Sequence, residues 1–206
     1  NAIAIDSNTA TLAMLRAAAS AAPATVPPAV VGSHCCALFT SGSTGAPKGA
    51  LVAQSLVLSR CLWMWSTQGF TPAVVGAQRT SLNFIDSLWE IFGPLLHGAC
   101  VALADRDIRR DARQLADWIT ARNVAHLVVV PALLHELLQY WSTTTPPAQL
   151  QFVICSGEAL SPELAEQFRI VVPDAKLVNT YGTSETWDIS AQRVDNLHAL
   201  SGVPVG

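Results

Sequence analysis

The residues best suited to chemistry lie close together in the segment 40–49, which reads TSGSTGAPKG. Its ten positions hold four hydroxyl side chains, three glycines and one lysine. Glycines let backbone N–H groups approach an anion, hydroxyl groups donate hydrogen bonds to phosphate oxygens, and a lysine offsets the negative charge. The composition predicts a loop that holds a polyphosphate, with an ordinary flexible Ser/Gly connection as the alternative.

This segment is not a Walker A loop. The pattern GxxxxGK[ST] needs a glycine before the lysine and a hydroxyl residue after it, whereas Pro47 precedes Lys48 and Gly49 follows it. The ten residues instead closely resemble the phosphate-binding signature of the acyl- and aminoacyl-adenylate-forming superfamily. That superfamily includes peptide synthetase adenylation domains, acyl-CoA ligases and luciferases.

Three further segments resemble the same superfamily, in its order and at its spacing. Residues 84–90 (FIDSLWE) are similar to its substrate-pocket segment, residues 156–160 (SGEAL) to its turn beside the adenine, and residues 179–185 (NTYGTSE) to its nucleotide segment. The resemblance covers about residues 36–206 and is closest to an adenylation domain of a non-ribosomal peptide synthetase. It implies an enzyme that uses ATP to activate a carboxylic acid as an acyl-AMP and releases pyrophosphate.

The resemblance also implies which residues bind the nucleotide. The ATP phosphates would contact Thr40, Ser41, Gly42, Ser43, Thr44, Gly45 and Lys48. The adenosine and the α-phosphate would contact Gly157, Glu158, Ala159, Asn179, Tyr181, Gly182, Thr183 and Ser184.

The implied chemistry needs no protein nucleophile. The substrate carboxylate attacks the α-phosphorus in line, so the protein supplies position and charge stabilisation, and no Ser/His/Asp triad is expected. The resemblance makes Thr44, Lys48 and Glu185 the catalytic residues. Glu185 would also bind Mg²⁺, which takes oxygen ligands and usually binds through one or two carboxylates plus substrate phosphates.

The pocket segment carries a clue to the acid. Adenylation domains for α-amino acids usually have an aspartate right after the phenylalanine, where this chain has Ile85, and an aspartate follows one residue later, at Asp86. A carboxylate moved by one position can meet an ammonium displaced by one carbon, which favours a β-amino acid such as β-alanine. The alternative is that Asp86 only caps the following helix. The full substrate set implied is Phe84, Ile85, Asp86, Trp89, a valine within residues 128–130, Ile154, Ser156, Thr180 and Asp188.

Alternating strands and helices must position these segments. Short apolar runs predict strands at residues 36–39, 80–84, 100–103, 126–130, 152–155 and 176–179. Amphipathic stretches predict helices at 55–67, 87–96, 111–122 and 132–140, and Ser161 followed by Pro162 begins another. Such βαβ units predict an α/β fold with a largely parallel sheet flanked by helices, whose ligands bind at the carboxyl ends of the strands.

Composition excludes several classes of protein. Half of the residues are hydrophobic and 13% are charged, which is typical of a globular chain, and the net charge of -3 favours neither a nucleic acid nor a membrane as partner. There is no run of 18 apolar residues and no signal peptide. The five cysteines are an odd number without CxxC spacing, which predicts reduced thiols, no zinc site and a cytoplasmic location.

The domain prediction separates a leader with an Ala/Pro-rich connection, residues 1–33, from an AMP-binding core at residues 34–206. The core is expected to be incomplete at its C-terminal end. The superfamily's ribose-binding aspartate and the essential lysine of its mobile C-terminal domain would both follow residue 206, so this fragment is expected to be weak or inactive alone. Gln54 also stands where many members carry histidine.

The predicted partners are a small-molecule carboxylic acid and a carrier protein domain, whose phosphopantetheine thiol would accept the acyl group. One alternative is a free-standing acyl-CoA ligase, which would share the same ATP loop. Another is a degenerate adenylation domain kept as a structural platform. The intact loop and nucleotide segments favour an active enzyme.

Overall fold

The computed structural model describes residues 34–40 and 47–194. The strands are β1 (His34–Thr40), β2 (Lys48–Ala53), β3 (Val75–Gln78), β4 (Cys100–Leu103), β5 (His126–Val129), β6 (Phe152–Cys155), β7 (Lys176–Thr183) and β8 (Trp187–Arg193). The helices are α1 (Gln54–Gln68), α2 (Asp86–Leu96), α3 (Ala112–Ala121), α4 (Pro131–Thr143) and α5 (Pro162–Val171), with a 3₁₀ turn at Ile108–Arg110. The predicted leader and the predicted loop residues Ser41, Gly42, Ser43, Thr44 and Gly45 lie outside the described residues.

Among the described residues, the main sheet has six strands in the order β4-β3-β5-β6-β7-β8. Strands β4, β3, β5, β6 and β7 are parallel to one another, and β8 pairs antiparallel with β7. Strands β1 and β2 form a separate antiparallel hairpin. The predicted fold class, a largely parallel sheet built from βαβ units, is therefore confirmed.

Both faces of the main sheet are covered, because successive side chains of a strand point to opposite faces. On β5, Leu127 and Val129 join an apolar cluster with α3, α4 and α5, whereas Val128 joins a second cluster with α1 and α2. Parallel sheets are generally buried on both faces in this way. No helix in the described part of the chain is both long and apolar enough to cross a membrane.

Local signals in the sequence explain where several helices begin. The Ser161 side chain accepts a hydrogen bond from the backbone N–H of Leu164 at 3.2 Å, directly before Pro162 at the first helical position of α5. Asp111 caps α3 by accepting from the backbone N–H groups of Arg113 and Gln114. The predicted positions of all five helices are confirmed to within a few residues.

One predicted strand is wrong, and three strands, β2, β3 and β8, were not predicted. Residues 80–84 form turns, with the backbone N–H of Phe84 bonded to the carbonyl of Ser81, and the adjoining strand is β3, just before them. The sequence pattern misled because Leu82 and Phe84 are apolar yet 67% and 60% exposed, whereas β3 reads VGAQ, with a single β-branched residue. Strands β2 and β8 follow the loop and nucleotide segments, where the motifs had predicted ligand-binding connections.

Candidate functional site

A cleft of about 670 Å³ lies across the carboxyl ends of β3, β4, β5 and β6. Its walls come from the segments that follow these strands: residues 79–86, 106–110, 128–130 and 156–158. This is the edge of a parallel sheet at which ligands are expected to bind. The cleft is therefore the first place to look for the predicted site residues.

Five of the predicted residues line this cleft: Phe84, Asp86, Ser156, Gly157 and Glu158. Gly157 has a φ of 89°, a left-handed conformation that favours glycine and turns the chain sharply after β6. Phe84 is largely exposed at the mouth. The pocket segment and the predicted adenine turn, which are far apart in the sequence, therefore meet at one edge of the sheet.

Other predicted substrate residues lie deeper than the cleft surface. Ile85, Trp89 and Ile154 are buried in the apolar cluster between the sheet and helices α1 and α2. Thr180 and Asn179 are buried on β7, the strand beside β6. In this arrangement these side chains support the cleft from below, and their direct contact with a substrate stays a prediction.

The predicted nucleotide segment forms the end of β7 and the turn into β8. Tyr181 is half exposed, as an aromatic face available for stacking would be. Gly182 packs so closely against the carbonyl group of Trp187 that a Cβ atom would overlap it, so only glycine fits this position. Thr183 and Thr186 hydrogen-bond through their hydroxyls at 3.0 Å and tie the turn together.

Glu185 lies in that turn with an exposed carboxylate. In the described part of the chain, no group of three or more His, Cys, Asp or Glu side chains could hold a metal ion. A single exposed carboxylate fits an ion that takes most of its ligands from substrate phosphates and water, as Mg²⁺ does. The donor chemistry is thus compatible with the predicted role of Glu185.

The ends of the predicted phosphate loop are held together by the β1–β2 hairpin. Thr40 and Lys48 are directly paired across it, and Phe39 pairs with Gly49. Lys48 is exposed. The hairpin therefore brings both ends of the segment 41–46 to one point, with a hydroxyl and an ammonium side by side in register.

Asp86 is the most informative of the cleft residues. Its Oδ1 atom accepts hydrogen bonds from the indole N–H groups of Trp89 and Trp187, each at 3.2 Å. Helix α2 starts at Asp86 itself, its N-cap is Ile85, and no side chain caps it. The alternative in which Asp86 is mainly a helix cap therefore lacks its hydrogen bond, although a carboxylate in the first turn still favours the helix dipole.

Asp188, also predicted to line the substrate pocket, forms an ion pair with Arg60 of α1. The Arg60 Nη2 and Asp188 Oδ2 atoms are 2.5 Å apart, and each side chain is 7% exposed. The Arg60 guanidinium also stacks 4.3 Å from the ring of Trp63. The pair borders a separate depression of about 270 Å³ between α1 and β8.

Burial dominates the electrostatics of this pair. It raises the pKa of Asp188 to about 6, against the opposing effect of the Arg60 charge, and the negative charge of Asp86 adds to the rise. Burial likewise lowers the pKa of Arg60, which interacts with both Asp188 and Asp86. The group of Arg60, Asp86 and Asp188 thus carries one more carboxylate than cations.

One residue that shapes the surroundings of the pocket segment, Glu90, was not predicted. Glu90 of α2 is buried and accepts hydrogen bonds from the Thr80 hydroxyl (2.8 Å), the Thr80 N–H (2.9 Å) and the Arg79 N–H (3.2 Å). Burial raises the pKa of Glu90 to about 7. Glu90 therefore fastens the first two cleft-lining residues to the helix, and the signal for it was a glutamate among the apolar residues of FIDSLWE.

Arg60 and Trp187 were missed as well. Arg60 is a lone charge in the apolar run LVLSRCLWMW, which is a usable signal for a buried charge that needs a partner. Trp187 adopts a positive φ of 59° and is almost fully buried, and nothing in its local sequence indicates a contact with Asp86, 101 residues away. Such a contact depends on the tertiary fold.

Comparisons with known proteins agree with this geometry. The family model described as AMP-binding enzyme matches residues 2–205. Beta-alanyl-bioamine nonribosomal peptide synthetase ebony of Drosophila melanogaster is 34% identical over 182 residues, covering 82% of this chain and 21% of that protein. Indigoidine synthase of Dickeya dadantii is 36% identical over 166 residues, covering 80% of this chain and 11% of that protein. The chain therefore spans about a fifth or less of these relatives.

The solved structures include close matches to the fold. The Vibrio cholerae adenylation domain AlmE in complex with glycyl-adenosine-5'-phosphate aligns with a TM-score of 0.74 and 26% identity, over 84% of this chain and 32% of that one. The N-terminal subdomain of Klebsiella oxytoca NpsA in complex with 3-hydroxyanthranilyl-AMSN aligns with a TM-score of 0.74 and 28% identity, over 89% of this chain and 47% of that one.

Proposed function

Because the chain belongs to the AMP-binding enzyme family, we propose that it activates a carboxylic acid with ATP. An oxygen of the substrate carboxylate attacks the α-phosphorus, the bond to the bridging oxygen of the β-phosphate breaks, and pyrophosphate leaves with that oxygen. The product is an acyl-AMP. The observation that carries the proposal is the meeting of the pocket segment and the SGEAL turn around one cleft at the carboxyl edge of the sheet.

The structure supports a division of labour among the residues. Lys48 and Thr40, together with the loop between them, bind the phosphates, since the hairpin brings a cation and a hydroxyl to one point. Tyr181 stacks on the adenine beside the Gly157 turn. Glu185 holds Mg²⁺, which neutralises phosphate charge when it is bound.

The substrate is a small β-amino acid, for which the charge of Asp86 is the main support. Two neutral indole donors orient its carboxylate without neutralising it, and its Oδ2 atom accepts no hydrogen bond from a described residue. Ile85, where α-amino acid enzymes usually have the aspartate, is buried in the apolar cluster. An ammonium one carbon further from the reacting carboxyl group would complete the site. The name of the ebony protein, a β-alanyl synthetase, supports the same substrate class.

The second half of the function is transfer of the acyl group to a thiol. A phosphopantetheine thiol on a carrier domain fits the relatives, several of which are named peptide synthetases. Free coenzyme A is the alternative acceptor, because it ends in the same thiol-bearing arm.

Exchange of labelled pyrophosphate into ATP tests the activation step in the complete protein. We expect β-alanine to support exchange well and propionate, which lacks the amine, to support it poorly. If none of the carboxylic acids in a broad panel supports exchange in the presence of Mg²⁺, the proposed activity is contradicted. Exchange with an α-amino acid alone would keep the activity and overturn the substrate.

Lys48→Ala tests the phosphate site. Loss of a charged hydrogen-bond donor is expected to lower exchange at subsaturating ATP about tenfold to a hundredfold. Lys176→Ala is the matched control, because Lys176 is exposed at the amino-terminal end of β7, whereas the cleft lies at the carboxyl ends of the strands. If both variants exchange as well as the parent protein, Lys48 has no role in binding phosphates.

A further inference from the structure

One end of the cleft is strongly basic. Four of its lining residues are arginines, Arg79, Arg106, Arg109 and Arg110, in a chain with 12 Lys and Arg residues in total and a net charge of -3. Guanidinium groups are suited to phosphate and carboxylate because they donate two parallel hydrogen bonds to either. A third of the chain's Lys and Arg residues therefore line one cleft, which favours an anionic ligand there.

The fold neutralises these charges only in part. The buried carboxylate of Glu90 offsets the charge of Arg79. Asp105 uses its Oδ1 atom to accept from the backbone N–H groups of Asp107 and Ile108, and Asp111 caps α3. None of the four arginines forms an ion pair with a residue that the structure describes.

Two of the arginines are held next to each other although they repel. Arg79 donates to the carbonyl of Val128 at 3.1 Å, and Arg109 donates to the carbonyl of Arg79 at 3.4 Å. Burial lowers the pKa of Arg79, the negative charge of Glu90 opposes this effect, and the charge of Arg109 lowers the pKa further. The Nε atom of Arg79 is buried without a partner among the described residues. The pair is thus fixed through backbone carbonyls, and most of its N–H groups stay available.

The basic end is separated from the place proposed for the acyl-AMP. Arg106, Arg109 and Arg110 follow β4, at one edge of the sheet, whereas Ser156 and Gly157 follow β6. Three strand spacings of ~4.8 Å each, or roughly 14 Å, lie between them. A three-carbon acid cannot reach across this distance, so Arg106, Arg109 and Arg110 face a second ligand.

The proposed reaction has one reactant left to place. In the proposed function, the predicted phosphate loop and Tyr181 bind ATP, and Asp86 binds the acid. The acceptor is a thiol at the end of a long arm that carries a phosphoryl group at its other end. We propose that Arg79, Arg106, Arg109 and Arg110 bind this phosphoryl group, so that the arm lies across the strand ends with its thiol at the acyl-AMP.

This inference rests on the proposed function and adds the acceptor's site to it. In the transfer step the thiol sulfur attacks the acyl carbon, the bond from that carbon to the AMP oxygen breaks, and AMP leaves with the electron pair. The thiol proton passes to solvent. The arginines touch only the distant phosphoryl group and act by positioning.

The test compares acceptors with and without the phosphoryl group in the complete protein. Thioester formation is measured with phosphopantetheine and with pantetheine, for the parent protein and for the double variant Arg106→Glu/Arg110→Glu. Both residues are exposed, so the fold should tolerate the change. We expect the KM for phosphopantetheine to rise about tenfold or more and the KM for pantetheine to stay the same. Pyrophosphate exchange should be unaffected, because it needs no acceptor.

A matched control carries the same charge change elsewhere. Arg169→Glu/Arg193→Glu alters two exposed arginines on α5 and β8 and should leave both acceptors unchanged. An equal loss with both acceptors in the Arg106/Arg110 variant would overturn the inference, and so would a rise in the KM for ATP. A third measurement uses coenzyme A to separate the two possible sources of the thiol-bearing group. A strong preference for coenzyme A favours a free acceptor over a carrier-bound one.

Equilibrium binding keeps this inference distinct from the proposed function. Binding of phosphopantetheine is measured by calorimetry without ATP, at low and high salt. Arginine-dependent and salt-sensitive binding supports the site even if no acid supports pyrophosphate exchange. Equal affinity for phosphopantetheine and pantetheine, or equal affinity in the parent and the double variant, would contradict it.

Discussion

Asp86 and Asp188, the two aspartates near Trp187, differ in how far the fold neutralises their charge. Asp188 is almost fully buried against the Arg60 guanidinium, which itself lies over the rings of Trp63 and Trp89. Asp86 is half-buried and lines the cleft; among the described residues only neutral indole N–H groups donate hydrogen bonds to it, and the charge of Arg60 acts on it from further away. The fold therefore neutralises one carboxylate within itself and leaves the charge of the other open to the cleft. Charges of the second kind are the ones available to a ligand.

The same contrast bears on the predicted substrate role of Asp188. Direct contact between a substrate ammonium and Asp188 would have to compete with Arg60 at 2.5 Å. We propose that Asp188 acts on the substrate through this pair, by anchoring β8 and with it the Trp187 indole that holds Asp86. The predictions below separate the closed pair from the open carboxylate.

The largest effect is expected from removing one partner of the buried ion pair between Arg60 and Asp188. Arg60→Met leaves Asp188 buried without its cation, and loss of one partner of a buried pair typically costs about 3 to 5 kcal/mol in the free energy of unfolding. The double variant Arg60→Met/Asp188→Leu should recover most of that loss, because neither charge is then buried alone. Urea unfolding measures both. If the free energy of unfolding of the single variant lies within about 1 kcal/mol of that of the parent, the two charges do not form a buried ion pair as described.

The second effect is a pH dependence of stability that comes from buried carboxylates. Burial raises the pKa of Asp188 to about 6 and that of Glu90 to about 7. The folded state therefore keeps protons that the unfolded chain releases near pH 4, and the free energy of unfolding should fall as the pH rises from about 4 to 7. Each group contributes at most roughly 3 kcal/mol.

Urea unfolding at pH 4.5 and at pH 7 measures this dependence. Asp188→Asn and Glu90→Gln should each remove part of the difference between the two pH values, whatever they do to the absolute stability. Stability that rises over this range would contradict the assignment of the raised pKa values.

The open carboxylate is expected to control selectivity and to matter little for stability. Asp86→Asn removes the charge but keeps the size, so the preference for β-alanine over propionate in pyrophosphate exchange should fall about a hundredfold. The free energy of unfolding should change by about 1 kcal/mol or less. A variant that keeps its preference and loses only stability would return Asp86 to the role of a helix residue.

Much of the fold could be predicted from local patterns. Ser161 and Asp111 mark the starts of α5 and α3, and the β-branched runs of β5 and β6 are buried on both faces as parallel strands require. Strand β3 escaped prediction because a four-residue strand reading VGAQ has little β-propensity of its own. Its position is fixed by pairing with β4 and β5, which no short window of sequence contains.

The candidate site divides in the same way. The motifs predicted Phe84, Asp86 and Gly157 as site residues, and all three line the cleft. Gly157 follows the predicted strand 152–155, whereas Phe84 and Asp86 follow β3 and not the predicted strand 80–84. The partners that set their properties could not be read from the motifs. Arg60 meets Asp188, and Trp187 meets Asp86, only after the sheet has brought α1, α2 and β8 together.

The smallest effect concerns the donors that hold the open carboxylate. Trp187→Phe keeps an aromatic ring in the apolar cluster but removes one of the two hydrogen bonds to Asp86. A hydrogen bond to a charged group contributes about 1.5 kcal/mol at the low end, so the preference for β-alanine over propionate should fall about tenfold while exchange itself persists. Trp118→Phe is the matched control, because Trp118 is also buried, lies in the other apolar cluster and has no hydrogen-bond partner for its indole N–H in the described part of the chain. It should lower stability to a similar degree without changing the preference. If Trp187→Phe instead strengthens the selection of the amine, the indole serves to weaken the charge of Asp86 and not to orient it.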